Sequence, residues 1–230
     1  MSADARWYEL CMDTVEDGPT LGAFWAAAIG GVHQPSAEDP AGDVVVPAVE
    51  GGGIAICPVK EAHTVKNRVH LDIYTLALAD LEALGATVLL PAEESGFGWT
   101  QMLDPEGNVF CAFLREPERL PDYRLHGVGI DCVDAERIAR WWGDRFGLEP
   151  VNVDGNPWWT LEGVTNDPVL TFDFAPVPEP KTVKNRIHWD VYGDVADFVA
   201  AGATVLWEMP RWTVMGDPEG NEFCVFPEAG

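Results

Sequence analysis

The segment Thr64-Val-Lys-Asn-Arg-Val-His70-Leu-Asp72-Ile-Tyr74 occurs twice in this chain, returning 118 residues later as Thr182-Val-Lys-Asn-Arg-Ile-His188-Trp-Asp190-Val-Tyr192. A second pair, Asp104-Pro-Glu-Gly-Asn108 and Asp217-Pro-Glu-Gly-Asn221, follows in the same order. Two ordered matches at nearly constant spacing indicate a duplicated domain. The charged, proline-containing stretch 115–122 has the composition of a linker. We therefore place the two copies at residues 4–115 and 122–228.

Within each copy, the hydrophobic pattern predicts strands and short helices in a fixed order. In the second copy, Leu125 to Asp131 is typical of a strand, and Asp134 is placed to cap a helix that ends at Gly147. Further strands follow, and the same order begins again at Asn185. The Asp-Pro-Glu-Gly-Asn segment has the residues of a hairpin turn before the last strand. We therefore predict an α+β protein in which each copy contains two β-α-β-β-β units.

Composition restricts the partners of the protein. The chain has 230 residues and a net charge of −24, a field that repels nucleic acid and anionic lipid. It contains neither an apolar run long enough to span a membrane nor a signal-peptide pattern at its start. We therefore expect a soluble, cytoplasmic protein without nucleic-acid or membrane partners. The five cysteines form no CxxC pair, so reduced, mostly buried thiols are expected.

The ordered, repeated motifs resemble the vicinal-oxygen-chelate superfamily, which includes glyoxalase I, extradiol dioxygenases and bleomycin-resistance proteins. The Lys-Asn-Arg-x-His-x-Asp and Gly-Asn-x-Phe-Cys forms are most similar to its glyoxalase-like branch. The resemblance covers nearly the whole chain, twice. It implies that the two units of each copy form one curved half-barrel sheet around a small-molecule cavity.

The resemblance also implies positions for a metal site, on the first strand, on the strand that opens the second unit, and on the last strand. In the second copy these positions are His126, His188 and Cys224. In the first copy they are Glu9 (or Tyr8, since the alignment can slip by one), His70 and Cys111. The usual carboxylate is therefore missing from both copies.

Two interpretations of the metal positions stay open. Two imidazoles and a thiolate are able to hold zinc, whereas a cysteine among large apolar residues is more often a small core residue. Glu222 lies two residues before Cys224 and hence on the same strand face, so His126, His188, Asp190 and Glu222 together are a candidate site. Val109 replaces Glu222 in the first copy, so we expect any metal in the second copy only. No tightly bound cofactor is expected, with a divalent metal in the second domain as the alternative.

The ten tryptophans indicate which kind of small molecule the protein binds. A tryptophan offers a wide apolar face to planar or cationic molecules. The predicted ligand-binding residues are Trp159, Trp189, Trp207, Trp212 and Tyr192. Strand alternation allows only one of Trp158 and Trp159 to line the cavity, and we choose Trp159. The alternative is that these side chains pack between helix and sheet.

Lys66-Asn67-Arg68 and Lys184-Asn185-Arg186 are positive clusters in an acidic chain. They are placed either to meet an anionic substrate group or to pair with the abundant carboxylates, the turn aspartate among them. We favour the second interpretation.

The sequence leaves three functions open. The first is sequestration of an aromatic or cationic small molecule, as in bleomycin-resistance relatives. The second is a metal-dependent lyase, isomerase or dioxygenase using His126 and His188, in which the metal binds two substrate oxygens. The third is a protein with an inert cavity. A monomer is favoured over a dimer, because one chain supplies both domains.

Overall fold

The computed structural model describes residues 3–15, 18–152, 155–165, 167 and 169–228. Two mixed sheets, five α-helices and one 3₁₀ turn at Pro117–Arg119 make up the described part of the chain. The strands are β1 Ala5–Thr14, β2 Val32–Gln34, β3 Asp43–Val45, β4 Ile54–Pro58, β5 Val69–Thr75, β6 Thr87–Leu90, β7 Thr100–Leu103, β8 Val109–Leu114, β9 Leu125–Cys132, β10 Trp159–Glu162, β11 Thr171–Pro176, β12 Ile187–Gly193, β13 Thr204–Glu208, β14 Thr213–Gly216 and β15 Glu222–Phe226. The helices are α1 Gly18–Ile29, α2 Leu78–Ala83, α3 Ala92–Ser95, α4 Ala135–Phe146 and α5 Val195–Ala200. The α+β class is confirmed, and three of the four predicted β-α-β-β-β units are complete. In the described part of the third unit, α4 is followed by two strands, β10 and β11, and Val151 forms only an isolated bridge with Thr160.

The helix predicted in the second copy is confirmed at both ends. The Asp134 side chain accepts a hydrogen bond from the backbone N–H of Arg137, and Gly147 ends α4 in the left-handed conformation with φ of 69°. Aspartate at the N-cap and glycine after the last turn satisfy backbone groups that a helix leaves unpaired. None of the helices in the described ranges is long and apolar enough to cross a membrane.

The two sheets do not follow the two copies. The eight-stranded sheet has the order β13-β14-β15-β12-β1-β4-β3-β2, and the seven-stranded sheet has the order β10-β11-β9-β5-β8-β7-β6. Each sheet therefore joins one unit of the first copy to one unit of the second, through the antiparallel pairs β1–β12 and β5–β9. The expectation that both units of one copy share a sheet was wrong. Because β5 and β12 share the same His-x-Asp-x-Tyr pattern between apolar residues, the hydrophobic pattern does not determine which of them pairs with β1.

The core lies where the longer helices meet the sheets. Trp25 on α1 packs edge-on against Phe110 of β8, at 5.4 Å between ring centroids. Trp142 on α4 packs edge-on against Trp189 of β12 and Phe223 of β15, at 5.1 and 4.9 Å. All five side chains are fully buried. These helix tryptophans therefore stabilise the packing of strands and are unavailable to a ligand.

The repeated Asp-Pro-Glu-Gly-Asn turn connects the two sheets. Asp217 accepts hydrogen bonds from the backbone N–H groups of Glu219 and Asn221 and from the indole of Trp142. Glu219 accepts hydrogen bonds from the backbone N–H groups of Val133 and Asp134, at 2.6 and 2.9 Å. Since Val133 follows β9 of the seven-stranded sheet and Glu219 precedes β15 of the eight-stranded sheet, the turn holds the units of one copy together across the two sheets.

Candidate functional site

The inner face of the eight-stranded sheet carries a cluster of metal-ligating and acidic side chains. On the paired strands β1 and β12, Glu9 lies opposite Asp190 and Cys11 lies opposite His188. Asp190 lies beside Cys224 of β15. Opposed residues of neighbouring strands project from the same face. One donor atom from each of His188, Asp190 and Cys224 lies within 4.8 Å of the other two.

Burial sets the protonation of this cluster. Burial and the neighbouring Glu9 raise the pKa of Asp190 to about 8, and burial and Asp43 raise the pKa of Glu9 to about 7. Burial and the Lys184 ammonium lower the pKa of His188 to about 3. Asp190 and His188 are therefore mainly uncharged at neutral pH. Asp190 Oδ1 and His188 Nδ1 are buried without a hydrogen-bond partner.

The seven-stranded sheet carries the corresponding cluster of His70, Asp72 and Cys111, again with donor atoms within 4.8 Å of one another. The residues opposite His70 and Asp72 are Gly129 and Gly127, so no second acid lies against Asp72 from β9. His70 Nε2 and Asp72 Oδ1 are 3.3 Å apart. Burial alone would lower the pKa of His70, but Asp72 and Cys111 raise it well above its ordinary value. The His70 imidazole is therefore held in its charged form, whereas the His188 imidazole is held neutral.

Each sheet also has a wall of four rings beside its cluster. In the eight-stranded sheet, Tyr8 packs against Tyr192 at 4.7 Å and against Phe226 at 5.0 Å, and Phe226 stacks on Trp212 at 5.5 Å. We call these four residues the ring wall. The four residues at the corresponding repeat positions of the seven-stranded sheet are His126, Tyr74, Phe113 and Trp99, joined by ring contacts of 3.9, 4.7 and 5.2 Å. The two walls are thus related by the duplication.

The walls differ in access. Cavities of about 990 and 570 Å³ adjoin the ring wall, and both are lined by Arg6 and Tyr192. Trp212 lines the larger cavity, whereas Tyr8 and Glu9 line the smaller one. On the seven-stranded sheet, Phe97 stacks on Trp99 at 4.7 Å and Trp158 lies 5.8 Å from the same ring. Two added aromatic side chains therefore cover one wall, and the other adjoins open space.

The predicted metal site is not assembled in this structure. His126 lies on β9 of the seven-stranded sheet, stacked on Tyr74, and His188 lies on β12 of the eight-stranded sheet. Burial lowers the pKa of His126 to about 4. Glu222 accepts hydrogen bonds from Lys181 and from the backbone of Asn185. The two histidines lie in different sheets, because the units of one copy belong to different sheets. The expected site was confined to the second copy, whereas each sheet has a donor cluster of its own.

The predicted ligand-binding residues lie in different environments. Trp212 and Tyr192 line a cavity as expected. Trp189 is fully buried in the core, and Trp207 is 50% exposed on the edge strand β13. Trp159 packs against the core with Arg140 over its ring. Trp158, which was not predicted to line the cavity, lies beside Trp99 of the seven-stranded sheet.

The side chains of the two basic segments are paired within the protein, and both segments line a cavity of about 590 Å³. Lys66 pairs with Asp131 at 2.6 Å, and Lys184 pairs with Asp13. The guanidinium groups of Arg68 and Arg186 donate to backbone carbonyls. The carboxylate pairing favoured from the sequence is thus observed, although the turn is contacted by asparagine: Asn67 and Asn185 donate to Asn108 and Asn221.

The ring wall and one cysteine pair were not predicted from the sequence. The repeat offset relates Tyr8 to His126 and Phe226 to Phe113, a correspondence that could have located the wall. The expectation of reduced thiols is wrong for Cys11 and Cys57, which are joined by a disulfide between β1 and β4, with Cα atoms 6.6 Å apart. Their sequence separation of 46 residues gave no local signal. The other three cysteines are free and buried.

Comparison with known proteins agrees with this architecture. The sequence profile of the glyoxalase-like domain matches residues 9–113 and 127–226. Glyoxalase I from Zea mays superposes with a TM-score of 0.65 at 13% identity, over 97% of this chain and 92% of that chain. A protein from Bacillus subtilis described as a putative dioxygenase superposes with a TM-score of 0.61 at 15% identity, over 100% and 87%. No curated protein matched the sequence. At these identities the structural likeness establishes the fold alone.

Proposed function

Because the chain belongs to the glyoxalase-like domain family of the vicinal-oxygen-chelate superfamily, we propose that it binds a planar aromatic small molecule against the ring wall of the eight-stranded sheet. One observation carries this proposal: half-buried rings adjoin cavities of about 990 and 570 Å³, and Glu9, which lies opposite Asp190, lines the smaller one. Small-molecule sites are concave and mostly apolar, with a few polar groups, and have volumes of several hundred Å³.

The arginines beside the wall indicate the charge of the ligand. The Arg6 guanidinium lies 4.2 Å from the Tyr192 ring centroid, and that of Arg211 lies 5.6 Å from the Trp212 ring. These ring faces already contact cations, so a cationic ligand would compete with side chains of the protein. A carboxylate on the ligand would instead gain charge-assisted hydrogen bonds from the same guanidinium groups. The proposed ligand is therefore a neutral or anionic aromatic molecule, and not the cationic one expected from net charge.

Tryptophan fluorescence titration tests the proposal, with neutral, anionic and cationic aromatic compounds at two salt concentrations. Replacing Trp212 by alanine removes one ring contact worth about 0.5–1.5 kcal/mol, together with its apolar burial, so affinity should fall roughly tenfold. Trp207→Ala is the matched control, because Trp207 is exposed on the edge strand and should leave affinity unchanged. Equal affinities for the two variants, or a preference for cations, would contradict the proposal.

A metal-dependent enzyme is the second candidate, favoured by the unpartnered atoms of the polar cluster. His188, Asp190 and Cys224 offer a nitrogen, an oxygen and a sulfur donor close together, a set that suits zinc. The orphaned Asp190 Oδ1 and His188 Nδ1 would gain a partner, and Glu9 lies opposite Asp190 as a further oxygen donor. A metal held there would supply Lewis-acid chemistry to substrate oxygens.

Metal analysis of protein purified without a chelator or affinity tag tests this candidate. Stoichiometric metal that is lost in Cys224→Ser and His188→Ala, and kept in His126→Ala, would assign a metal to the eight-stranded sheet. Metal lost in His126→Ala would place it in the seven-stranded sheet. Ligand binding that persists in metal-free protein would support the first function.

A further inference from the structure

Cys11 and Cys57 form a second group of donors on the eight-stranded sheet, beyond the positions that the family uses. Cys11 and Asp13 lie on β1, His188 lies opposite Cys11 on β12, and Cys57 lies opposite Asp13 on β4. Three adjacent strands thus bring three potential ligands together, and Cys57 adjoins them through its bond to Cys11. The Cys11 sulfur, an Asp13 oxygen and a His188 nitrogen lie within 4.8 Å of one another, and all three residues are buried.

From this arrangement we infer a redox-controlled zinc site formed by Cys11, Cys57, Asp13 and His188. Two thiolates, an imidazole and a carboxylate are the donor types of four-coordinate zinc proteins. His188 is 8% exposed, and its Nδ1 has no hydrogen-bond partner. The Lys184 ammonium contacts Asp13 through Oδ2, which leaves the second carboxylate oxygen for a metal. Donors bound to one zinc ion lie about 3–4 Å apart, so the three clustered side chains must move slightly closer together, and Cys57 must turn towards them once its bond to Cys11 is broken.

The seven-stranded sheet provides an internal comparison. It keeps the histidine and the aspartate at the equivalent positions, His70 and Asp131. Gly129 stands where Cys11 stands, and Ala175, the partner of Asp131 on β11, stands where Cys57 stands. Both thiols are therefore absent together from one sheet and present together in the other. Two cysteines that act together, as a disulfide or as two ligands of one metal, account for this paired difference.

The disulfide and the zinc ion compete for the same two sulfur atoms. A dithiol reductant transfers two electrons and two protons to the Cys11–Cys57 bond and itself becomes a disulfide, so that the protein gains two thiols. Zinc then binds both sulfurs as thiolates and releases two protons to solvent. Oxidation by a disulfide-bearing compound reverses the electron transfer and expels the metal. The inference is independent of the proposed ligand-binding function.

Zinc binding by the full-length protein, oxidised and after reduction with a phosphine, tests the site. Reduction should add one equivalent of bound Zn²⁺, and Cys57→Ser and Cys11→Ser should each abolish that increment. Cys132→Ser, which removes a free buried cysteine outside the group, should keep it. Cobalt in place of zinc should show thiolate-to-metal charge transfer, and zinc should protect Cys11 and Cys57 from alkylation as measured by mass spectrometry.

Two results would overturn the inference. One is equal zinc binding before and after reduction. The other is an increment that survives Cys57→Ser and disappears in Cys224→Ser, which would assign the metal to the cluster with Asp190. Should Cys11→Ser fail to fold, alkylation protection of Cys57 in the wild-type protein decides the question alone. Failure of aromatic-ligand binding would leave each of these readouts unaffected.

Discussion

Asp190 and Asp72 occupy equivalent strand positions, yet their surroundings differ. Asp190 of β12 lies opposite Glu9 of β1, and this second acid adds to the effect of burial on the pKa of Asp190. Asp72 faces Gly127, which has no side chain, and forms a close pair with His70. The neighbouring strand therefore places a second acid beside Asp190 but none beside Asp72, and at Asp190 this acid adds to the larger effect of burial.

The first prediction concerns the pH dependence of stability through Asp190. The folded protein keeps Asp190 protonated up to about pH 8, whereas the unfolded chain releases this proton near pH 4. A raised folded-state pKa contributes stability that is lost as pH rises through that value. Asp190→Asn cannot ionise and should lose less thermal stability than the wild type between pH 6.5 and 8.5. Circular dichroism melting curves at both pH values measure this difference.

Asp144→Asn is the control for this experiment, because it removes one negative charge from an exposed position on α4. It should show the pH dependence of the wild type. The interpretation fails if Asp190→Asn and the wild type lose equal stability over this range.

The second prediction concerns Gly129, which allows the His70 ring to lie against β9. A β-carbon at this position would lie 2.2 Å from His70 Cε1 and 2.3 Å from Nε2. Gly129→Ala should therefore destabilise the protein by about 1–3 kcal/mol, the usual cost of overpacking, as measured by urea unfolding. Gly98→Ala introduces a β-carbon with no atom within 4 Å and should be nearly neutral. Similar losses for both variants would contradict the close contact.

Residue patterns predicted part of the site. Alternation along β12 correctly placed His188, Asp190 and Tyr192 on one face, because strand periodicity is local. The pairing of His126 with His188 was wrong, because it depends on which strands become neighbours. Trp207 was misplaced for a related reason: an edge strand has one neighbour only, and its side chains stay exposed.

At the scale of elements, the Asp-Pro-Glu-Gly-Asn turn does more than reverse the chain. The aspartate accepts a hydrogen bond from a backbone N–H group within the turn. The glutamate accepts one from the residue that follows the first strand of the preceding unit. The sequence predicted the hairpin, because proline, glycine and asparagine have local turn preferences. The glutamate contact was not predictable in the same way, since it joins residues 86 positions apart.

The third prediction tests this contact with Glu219→Ala. The Glu219 side chain is 5% exposed and accepts two backbone hydrogen bonds. Because these bonds involve a charged acceptor, their removal should cost about 2 kcal/mol in the free energy of unfolding. Glu136→Ala breaks an exposed pair with Arg140 on α4 and should cost less than about 0.5 kcal/mol. Denaturant unfolding of both variants measures the difference, and equal costs would show that the contact contributes little.

At the scale of the whole molecule, the exchange of units makes the two copies dependent on each other. The longest pairing in the eight-stranded sheet joins β1 of the first copy to β12 of the second, over Ala5 to Met12. The seven-stranded sheet repeats this arrangement with β5 and β9. The repeats and the fold class could be predicted from sequence, and so could the strand order of three of the four units. The partner of each unit could not, because duplicated strands offer equivalent edges.

The fourth prediction follows from this interdependence. A protease recognition sequence inserted after Arg119, at the end of the 3₁₀ turn between the copies, allows the chain to be cut into two fragments. Each fragment contributes one unit to each sheet, so separation would expose the central edges of both sheets and their buried apolar faces. The cut protein should therefore elute as one species at the mass of the uncut chain, 25.1 kDa, while denaturing electrophoresis shows two bands. Addition of urea should separate the fragments, which confirms complete cleavage. Elution as two species of about half the mass under native conditions would show that each copy folds alone, as the sequence pattern first indicated.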